Sequence, residues 1–183
     1  MYMSNKEKML SVEDRAFNDM LKDRALQFGM CNKGKEEWRE RKSLDSLLDM
    51  YVRNMEFILD HPGFITDAFL VENAGAKKLH EHGIYVDDLF SITVPHDLVV
   101  KGSCDGEVLC DCFSTPDIYI CGESKLSVRV LSHSIAYIRV YDQTFLDIEC
   151  DQGGKVFVYQ YGGTVVYSGD GKVYVRDKRG DRE

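Results

Sequence analysis

Residues 125–160 read KLSVRVLSHSIAYIRVYDQTFLDIECDQGGKVFVYQ, and in this stretch aliphatic side chains alternate with other residues and recur every ten positions. Alternation with a period of two is typical of a β-strand with one buried face. Recurrence with a period of ten indicates that each unit is one strand followed by one tight turn. The repeat therefore predicts a stack of short strands.

The repeat extends from residue 98 to residue 160 in three aligned columns, which we expect to point into a core. The first column is aliphatic at every step: Leu98, Val108, Ile118, Val128, Ile138, Ile148 and Val158. The second column, two residues later, contains Val100, Cys110, Ile120, Val130, Val140 and Cys150. The third column, two residues before the first, ends with Leu126, Ala136, Leu146 and Val156.

Two architectures fit a ten-residue unit. In a flattened β-solenoid two units form one coil, and each strand pairs with the strand twenty residues away. In an antiparallel meander each strand pairs with the next, and the Gly-Gly and Asp-Gly turns favour such hairpins. Spacing by twenty places Arg129 beside Glu149 and forms a row of Tyr119, Arg139 and Tyr159. These pairs favour the solenoid.

The first ninety residues are predicted to be helical. A helix capped by Ser11 has an apolar face of Phe17, Met20, Leu21, Ala25 and Phe28, and it ends at Gly29. A polar loop through residues 32–34 follows it.

A second helix is predicted to begin after Ser43 and to continue unbroken from Leu44 to Leu59, because His61-Pro62-Gly63 stops it. Two shorter helices are predicted near residues 66–73 and 76–82. Residues 84–94 form a transition, and the strands begin near His96. The fold class is therefore α+β, with a helical domain at 1–93, a β-repeat domain at 94–178 and a charged tail at 179–183.

Composition excludes several classes of protein. The chain has 183 residues, of which 44% are hydrophobic and 30% charged, and these fractions are ordinary for a globular protein. Its net charge of -8 argues against general binding of nucleic acid or of an anionic membrane. It contains no apolar run of about 18 residues that could cross a bilayer. The polar N-terminus lacks the apolar region of a secretory signal, so we expect a cytoplasmic protein.

Several motifs together resemble a known group of proteins. They are the segment Arg24–Cys31, the loop with Trp38, the helix around Asp49-Met50-Tyr51, and the segment Leu79–Asp87 before the strand repeat. The chain resembles uncharacterised small proteins of Bacteroides-type gut bacteria and of their phages and mobile elements. This resemblance implies a helical domain that precedes a β-solenoid, and a mobile-element context. It assigns no activity and no functional residue.

The chain contains two groups of residues that could bind a metal. The first is Cys104, Cys110, Cys112 and Cys121, which lack the paired C-x2-C spacing of zinc knuckles. Spacing by twenty places Cys110 and Cys150 on either side of Val130, so we expect packed, reduced thiols. The second group is His80-Glu81-His82, whose histidines are not at the i, i+4 spacing of a zinc-binding helix. We therefore predict no metal and no cofactor.

The outward positions of the late strands are rich in aromatic and arginine residues. These residue types are enriched at protein interfaces. Alternatively, the helical domain folds back and covers them. The candidate interaction face consists of Tyr119, Arg139, Phe157, Tyr159, Tyr161 and Tyr174.

These patterns favour a non-enzymatic interaction or scaffold protein, with a protein partner or a second copy of the chain as its ligand. We expect a homo-oligomer. One alternative is an antagonist of a host nuclease or defence protein that imitates nucleic acid through its acidity, although the strands carry charges of both signs. A second alternative is a small metal-dependent enzyme, which would depend on the cysteine cluster.

Overall fold

The structure is a computed structural model and describes residues 12–94, 96–111 and 113–180. It divides into two compact units, Met1–Thr66 and Asp67–Glu183. The boundary expected after residue 93 does not coincide with this division, because the last two helices belong to the same unit as the strands. No helix among the described residues is both long enough and apolar enough to cross a membrane. Ser11, the predicted first cap, lies outside the described residues.

The described part of the first unit contains four helices. They are α1 (Val12–Gln27), α2 (Asn32–Glu37), α3 (Leu44–Arg53) and α4 (Met55–Asp60). As predicted, Gly29 follows α1 with a positive φ of 82°, and the Ser43 hydroxyl accepts a hydrogen bond from the Ser46 N–H at 3.3 Å.

Three predictions for this unit were wrong. The polar loop after Gly29 contains α2, whose first N–H groups are capped by the Cys31 sulfur, which accepts from the Gly34 N–H at 3.4 Å. The long second helix is two helices, because Asn54 leaves helical geometry with φ -114° and ψ 30°. Met20, predicted to face the core, is exposed, while the polar Asn18 is buried.

Asn18 is buried because it binds two other segments of this unit. Its side-chain oxygen accepts hydrogen bonds from the Trp38 indole N–H at 2.8 Å and from the Lys42 backbone N–H at 2.9 Å. Trp38 is thereby fixed in the core. Beside it lies an apolar cavity of about 100 Å³.

The second unit begins with two short helices, α5 (Asp67–Ala74) and α6 (Ala76–Glu81), separated by Gly75. Eleven strands follow among the described residues: β1 (Ile84–Val86), β2 (Leu89–Thr93), β3 (Leu98–Lys101), β4 (Asp105–Cys110), β5 (Asp117–Ile120), β6 (Lys125–Val130), β7 (Ile135–Val140), β8 (Phe145–Cys150), β9 (Lys155–Gln160), β10 (Thr164–Ser168) and β11 (Lys172–Asp177). The strands thus begin at Ile84, and the prediction of a start near His96 was wrong.

The strands form a parallel β-solenoid, as the sequence predicted, and not a meander. Sheet A has the order β1-β3-β5-β7-β9-β11, and sheet B has the order β10-β8-β6-β4-β2. Every pair of neighbouring strands is parallel. In the central coils the partners are twenty residues apart, as in Val128↔Ile148 and Ile138↔Val158. Two ten-residue units therefore make one coil.

The three predicted columns form the core of the solenoid. All of their predicted members are buried, and Ile138, Ile148 and Val130 have no exposed surface. The register Cys110↔Val130↔Cys150 places the two thiols on either side of Val130, as expected. Gly106 occupies the column that contains Leu126 and Leu146 in the next coils. The Phe90 ring fills its place, since a Cβ at Gly106 would lie 2.5 Å from Phe90 Cζ.

The turns bury small polar side chains that the hydrophobic pattern did not reveal. Three of them, each at the position just before a strand, are buried: Ser124, Ser134 and Thr144. The Ser124 hydroxyl donates to a backbone carbonyl, that of Cys121 or that of Gly102, each at 3.0 Å. The Thr144 hydroxyl donates to the Tyr141 carbonyl at 2.5 Å. These hydroxyls satisfy carbonyl groups where the chain turns within the core.

Ile138→Asp tests the inward columns. It places a carboxylate in a fully buried position without a partner, so we expect a loss of several kcal/mol of stability. The matched control Thr164→Asp adds the same carboxylate to an exposed position of β10, whose strand partner is the uncharged Phe145, and should change stability by less than about 0.5 kcal/mol. Urea unfolding followed by circular dichroism measures both variants. An Ile138→Asp protein as stable as the control would contradict the buried column.

Candidate interaction surface

The outer face of sheet A carries ladders of aromatic and arginine side chains. The rings of Tyr137, Phe157 and Tyr174 stack in sequence, with centroids 5.3 Å and 5.1 Å apart and planes within 14° of parallel. Tyr141 and Tyr161 form a second stack at 4.8 Å. Parallel strands lie about 4.8 Å apart, so identical outward positions of neighbouring coils bring their rings to stacking distance.

A third ladder alternates tyrosine and arginine. The Arg139 guanidinium lies 4.8 Å from the centroid of Tyr119 and 5.6 Å from that of Tyr159, and Arg176 lies 5.7 Å from Tyr159 on its other side. Arg139 also forms an ion pair with Asp117. The predicted row of Tyr119, Arg139 and Tyr159 therefore exists. A cation over an aromatic face contributes about 0.5–1 kcal/mol at an exposed site.

The six residues of the candidate interaction face differ in exposure. Tyr119 is only 8% exposed, so its prediction as an exposed member was wrong. Arg139 covers one face of the Tyr119 ring, and the outward neighbours Ile84 and Val99 in the same row are also buried. Arg139, Phe157, Tyr159 and Tyr161 are half-buried, and Tyr174 is 49% exposed. Phe157 and Tyr159 therefore have a stacking neighbour on each face, and Tyr174, at the end of its stack, is the most exposed of the six.

The N-terminal end of the solenoid is closed by aromatic side chains. Tyr85 and Phe90 point inward from β1 and β2 and stack with centroids 4.1 Å apart. The His80 ring of α6 stacks on Tyr85 at 4.4 Å, and its Nε2 lies 2.7 Å from Asp88. Burial, followed by the nearby Asp88 carboxylate, raises the pKa of Tyr85. The last core layer at this end is therefore covered.

The C-terminal end is open among the described residues. Tyr167 lies in register with Ile148, and Val175 with Val158, so both continue inward columns. Ile148 and Val158 are at most 1% exposed, whereas Tyr167 is 59% and Val175 40% exposed. Val166 and Tyr174, on the outward phase of the same strands, are exposed as well. Of these four side chains only Tyr174 was in the predicted face. Tyr167, Val175 and Val166 were missed, although the shorter repeat after Tyr161 marks the end of the stack.

The outer face of sheet B carries charges of both signs. Arg129 lies 3.8 Å from Glu149 and 3.5 Å from Asp151. In another row of this face, Lys125 lies between Asp105 and Phe145. Basic side chains interrupt the acids in these two rows, and in the row between them the uncharged Ser127 separates Glu107 from Asp147. The face therefore lacks the continuous negative rows that imitation of a nucleic-acid backbone requires.

The candidate metal residues have structural roles in the described part of the chain. The Cys104 sulfur accepts from the Asp88 N–H at 3.4 Å and lies 3.2 Å from the Lys101 carbonyl. Two carboxylates near these strands, which could also have offered oxygen ligands, bind backbone groups instead: Asp87 accepts from the Ser103 N–H at 2.8 Å, and Asp97 from the Asp117 N–H at 3.1 Å. No group of three potential ligands converges among the described residues, which exclude Cys112.

Burial controls the chemistry of the core thiols. It raises the pKa of Cys110 to about 12, with a smaller contribution from Cys150, and it also raises the pKa of Cys104 and Cys150. Cys31, by contrast, is exposed. Because the thiolate is the reactive form, these positions should differ strongly in reactivity.

We expect a Cys112→Ser protein to react with a thiol reagent at pH 8 first at Cys31. Cys110 should react only after unfolding, because a pKa of about 12 leaves about one thiol in ten thousand ionised and its sulfur is enclosed. Mass mapping of the modified residues over time measures this order. Rapid labelling of Cys110 in the folded protein, or zinc retained through dialysis, would contradict the packed-thiol assignment.

Comparison with known proteins adds no family to this description: no family model, curated protein or solved structure matches the chain.

Proposed function

We propose that this protein is a non-enzymatic scaffold that self-associates through the C-terminal end of its solenoid. The exposure of the inward-phase residues Tyr167 and Val175 carries this proposal. An unpaired edge together with exposed apolar surface is a template for association with another strand. The two last strands, β10 and β11, are the binding element.

The backbone of β11 presents free hydrogen-bonding positions in a defined phase. The Lys172 N–H donates to the Gly154 carbonyl at 3.1 Å, and the Lys178 N–H donates to the Gln160 carbonyl at 2.8 Å, both toward β9. N–H directions alternate along a strand, so Val173 and Val175 direct their N–H and C=O groups away from β9. On β10, the Thr164 N–H donates to the Thr144 carbonyl at 2.8 Å, toward β8. By the same alternation, the N–H and C=O groups of Val165 and Tyr167 point to the open side.

A second copy of the chain fits both edges at once. Because all strands within each sheet are parallel, a two-fold axis across the open end pairs β11 with β11 and β10 with β10 in antiparallel fashion. Val175 lies over Val158, and Val166 lies over Asp147. Positions 147 and 158 are equally far from the centre of the turn at 151–154, so one axis can pass through Val175 and Val166 together.

This pairing also brings compatible side chains of the two subunits together. With Val175 opposite its own copy, Tyr174 lies opposite Arg176 of the partner subunit, which continues the tyrosine–arginine alternation already present on sheet A. With Val166 on the axis, Val165 lies opposite Tyr167 of the partner subunit, and the two core ends cover each other. Lys172 faces Lys178 of the partner subunit at the rim, so added salt should strengthen association by screening this repulsion.

Val175→Pro tests the proposal with least damage to the fold. Proline removes an N–H that points to the open edge and leaves the N–H groups directed at β9, which is the arrangement tolerated on edge strands. We expect the full chain to sediment as a dimer, twice the monomer mass of 21.0 kDa, and Val175→Pro to sediment as a folded monomer. Tyr167→Lys, on the other edge, should have the same effect.

Leu89→Lys is the matched control, because Leu89 is a large exposed apolar residue on the opposite edge strand of sheet B. This variant should remain dimeric. A full chain that sediments as a monomer at millimolar concentration would refute the proposal. A dimer that survives both Val175→Pro and Tyr167→Lys would place the interface elsewhere and would equally refute it.

A further inference from the structure

The cavity of about 100 Å³ in the first unit is formed by every helix of that unit. Leu21 and Ala25 of α1, Leu47 and Met50 of α3, and Ile58 of α4 contribute to its wall. The remaining lining residues are Gly34 of α2, Tyr51 of α3, Phe57 of α4 and, from the connecting segments, Met30, Cys31, Trp38, Asn54, Phe64 and Ile65. No charged side chain lines it among the described residues.

Two features distinguish this cavity from ordinary packing space. Its lining is almost entirely apolar, and it opens to the protein surface, so a ligand can enter it from solvent. In addition, the Trp38 ring cannot rotate to fill it, because its indole N–H is held by Asn18 at 2.8 Å, and Asn18 is fully buried. The wall is therefore fixed in an open position by a buried hydrogen bond.

From this geometry we infer that the first unit binds a compact, uncharged apolar molecule about the size of one aromatic ring. A pocket with an apolar lining binds such a molecule by burying its surface away from water. A charged ligand would lose its hydration without gaining a partner in this wall. All of the lining residues lie between Leu21 and Ile65, within the first unit, whereas the proposed self-association element consists of β10 and β11.

The chain contains its own reporters for this site. Trp38 is the only tryptophan, and the side chains of Met30 and Met50 line the same cavity. Met55 is buried but lies outside the lining, and Met20 is exposed. Ligand entry should therefore change Trp38 fluorescence and the methyl resonances of Met30 and Met50.

The test is titration of the full-length protein with benzene, observed by Trp38 fluorescence and by methyl NMR of carbon-13-labelled methionine. We expect saturable shifts at Met30 and Met50, little change at Met20 and Met55, and a higher unfolding temperature at saturating benzene. Benzoate, which has the same ring and a charge, should produce no saturable shift.

Ala25→Leu should fill the cavity, abolish the benzene shifts and raise the unfolding temperature without ligand. Leu26→Phe is its control, because Leu26 is the exposed neighbour on α1, and this variant should bind benzene like the original chain. Failure of benzene to shift Met30 or Met50 in the unmodified chain would overturn the inference, whether or not Ala25→Leu folds. Equal shifts at all four methionines would also overturn it, since they indicate non-specific partitioning.

Discussion

The rest of the second unit depends on one constraint, the hydrogen-bonded stacking of parallel strands at about 4.8 Å with partners twenty residues apart. This register superposes identical positions of successive coils. It places Val128 against Ile148 in the core and Arg129 beside Glu149 on the surface. The inward columns, the aromatic stacks and the tyrosine–arginine ladder are all consequences of the same superposition. Side chains at equivalent positions of successive coils lie next to each other, so the residue types at those positions decide which contacts form.

A finite stack must end twice, and the two ends of this solenoid are treated differently. Each coil covers the core of the one before it, so the last layer at either end has no coil above it. At the N-terminal end Tyr85, Phe90 and His80 form an aromatic cover, for which Gly106 provides the space. At the C-terminal end Tyr167 and Val175 continue the core columns and remain exposed. The two ends of the solenoid therefore differ in exposed apolar surface, and the proposed association uses the exposed C-terminal end.

The architecture of the central coils could be predicted because hydrophobic alternation and the period of ten are both local patterns. The pairing of Cys110 and Cys150 around Val130 followed from the same arithmetic. The first coils were missed because they are shorter: Leu89 pairs with Asp105 and Ile84 with Val99, which are spacings of sixteen and fifteen. The ten-residue repeat is therefore absent from the sequence in the coils where the aromatic cover replaces the regular columns. Similarly, Tyr119 has an outward phase but a buried ring, and only tertiary packing reveals that difference.

The register of twenty is tested most directly by backbone nuclear Overhauser effects in the folded protein. Parallel stacking predicts contacts between backbone protons of residues twenty apart, such as Val128 and Ile148, because their strands are neighbours in sheet B. It predicts none between the backbones of β6 and β7, which belong to different sheets about 10 Å apart. Strong backbone contacts between β6 and β7, in the antiparallel pattern of a hairpin, would contradict the solenoid.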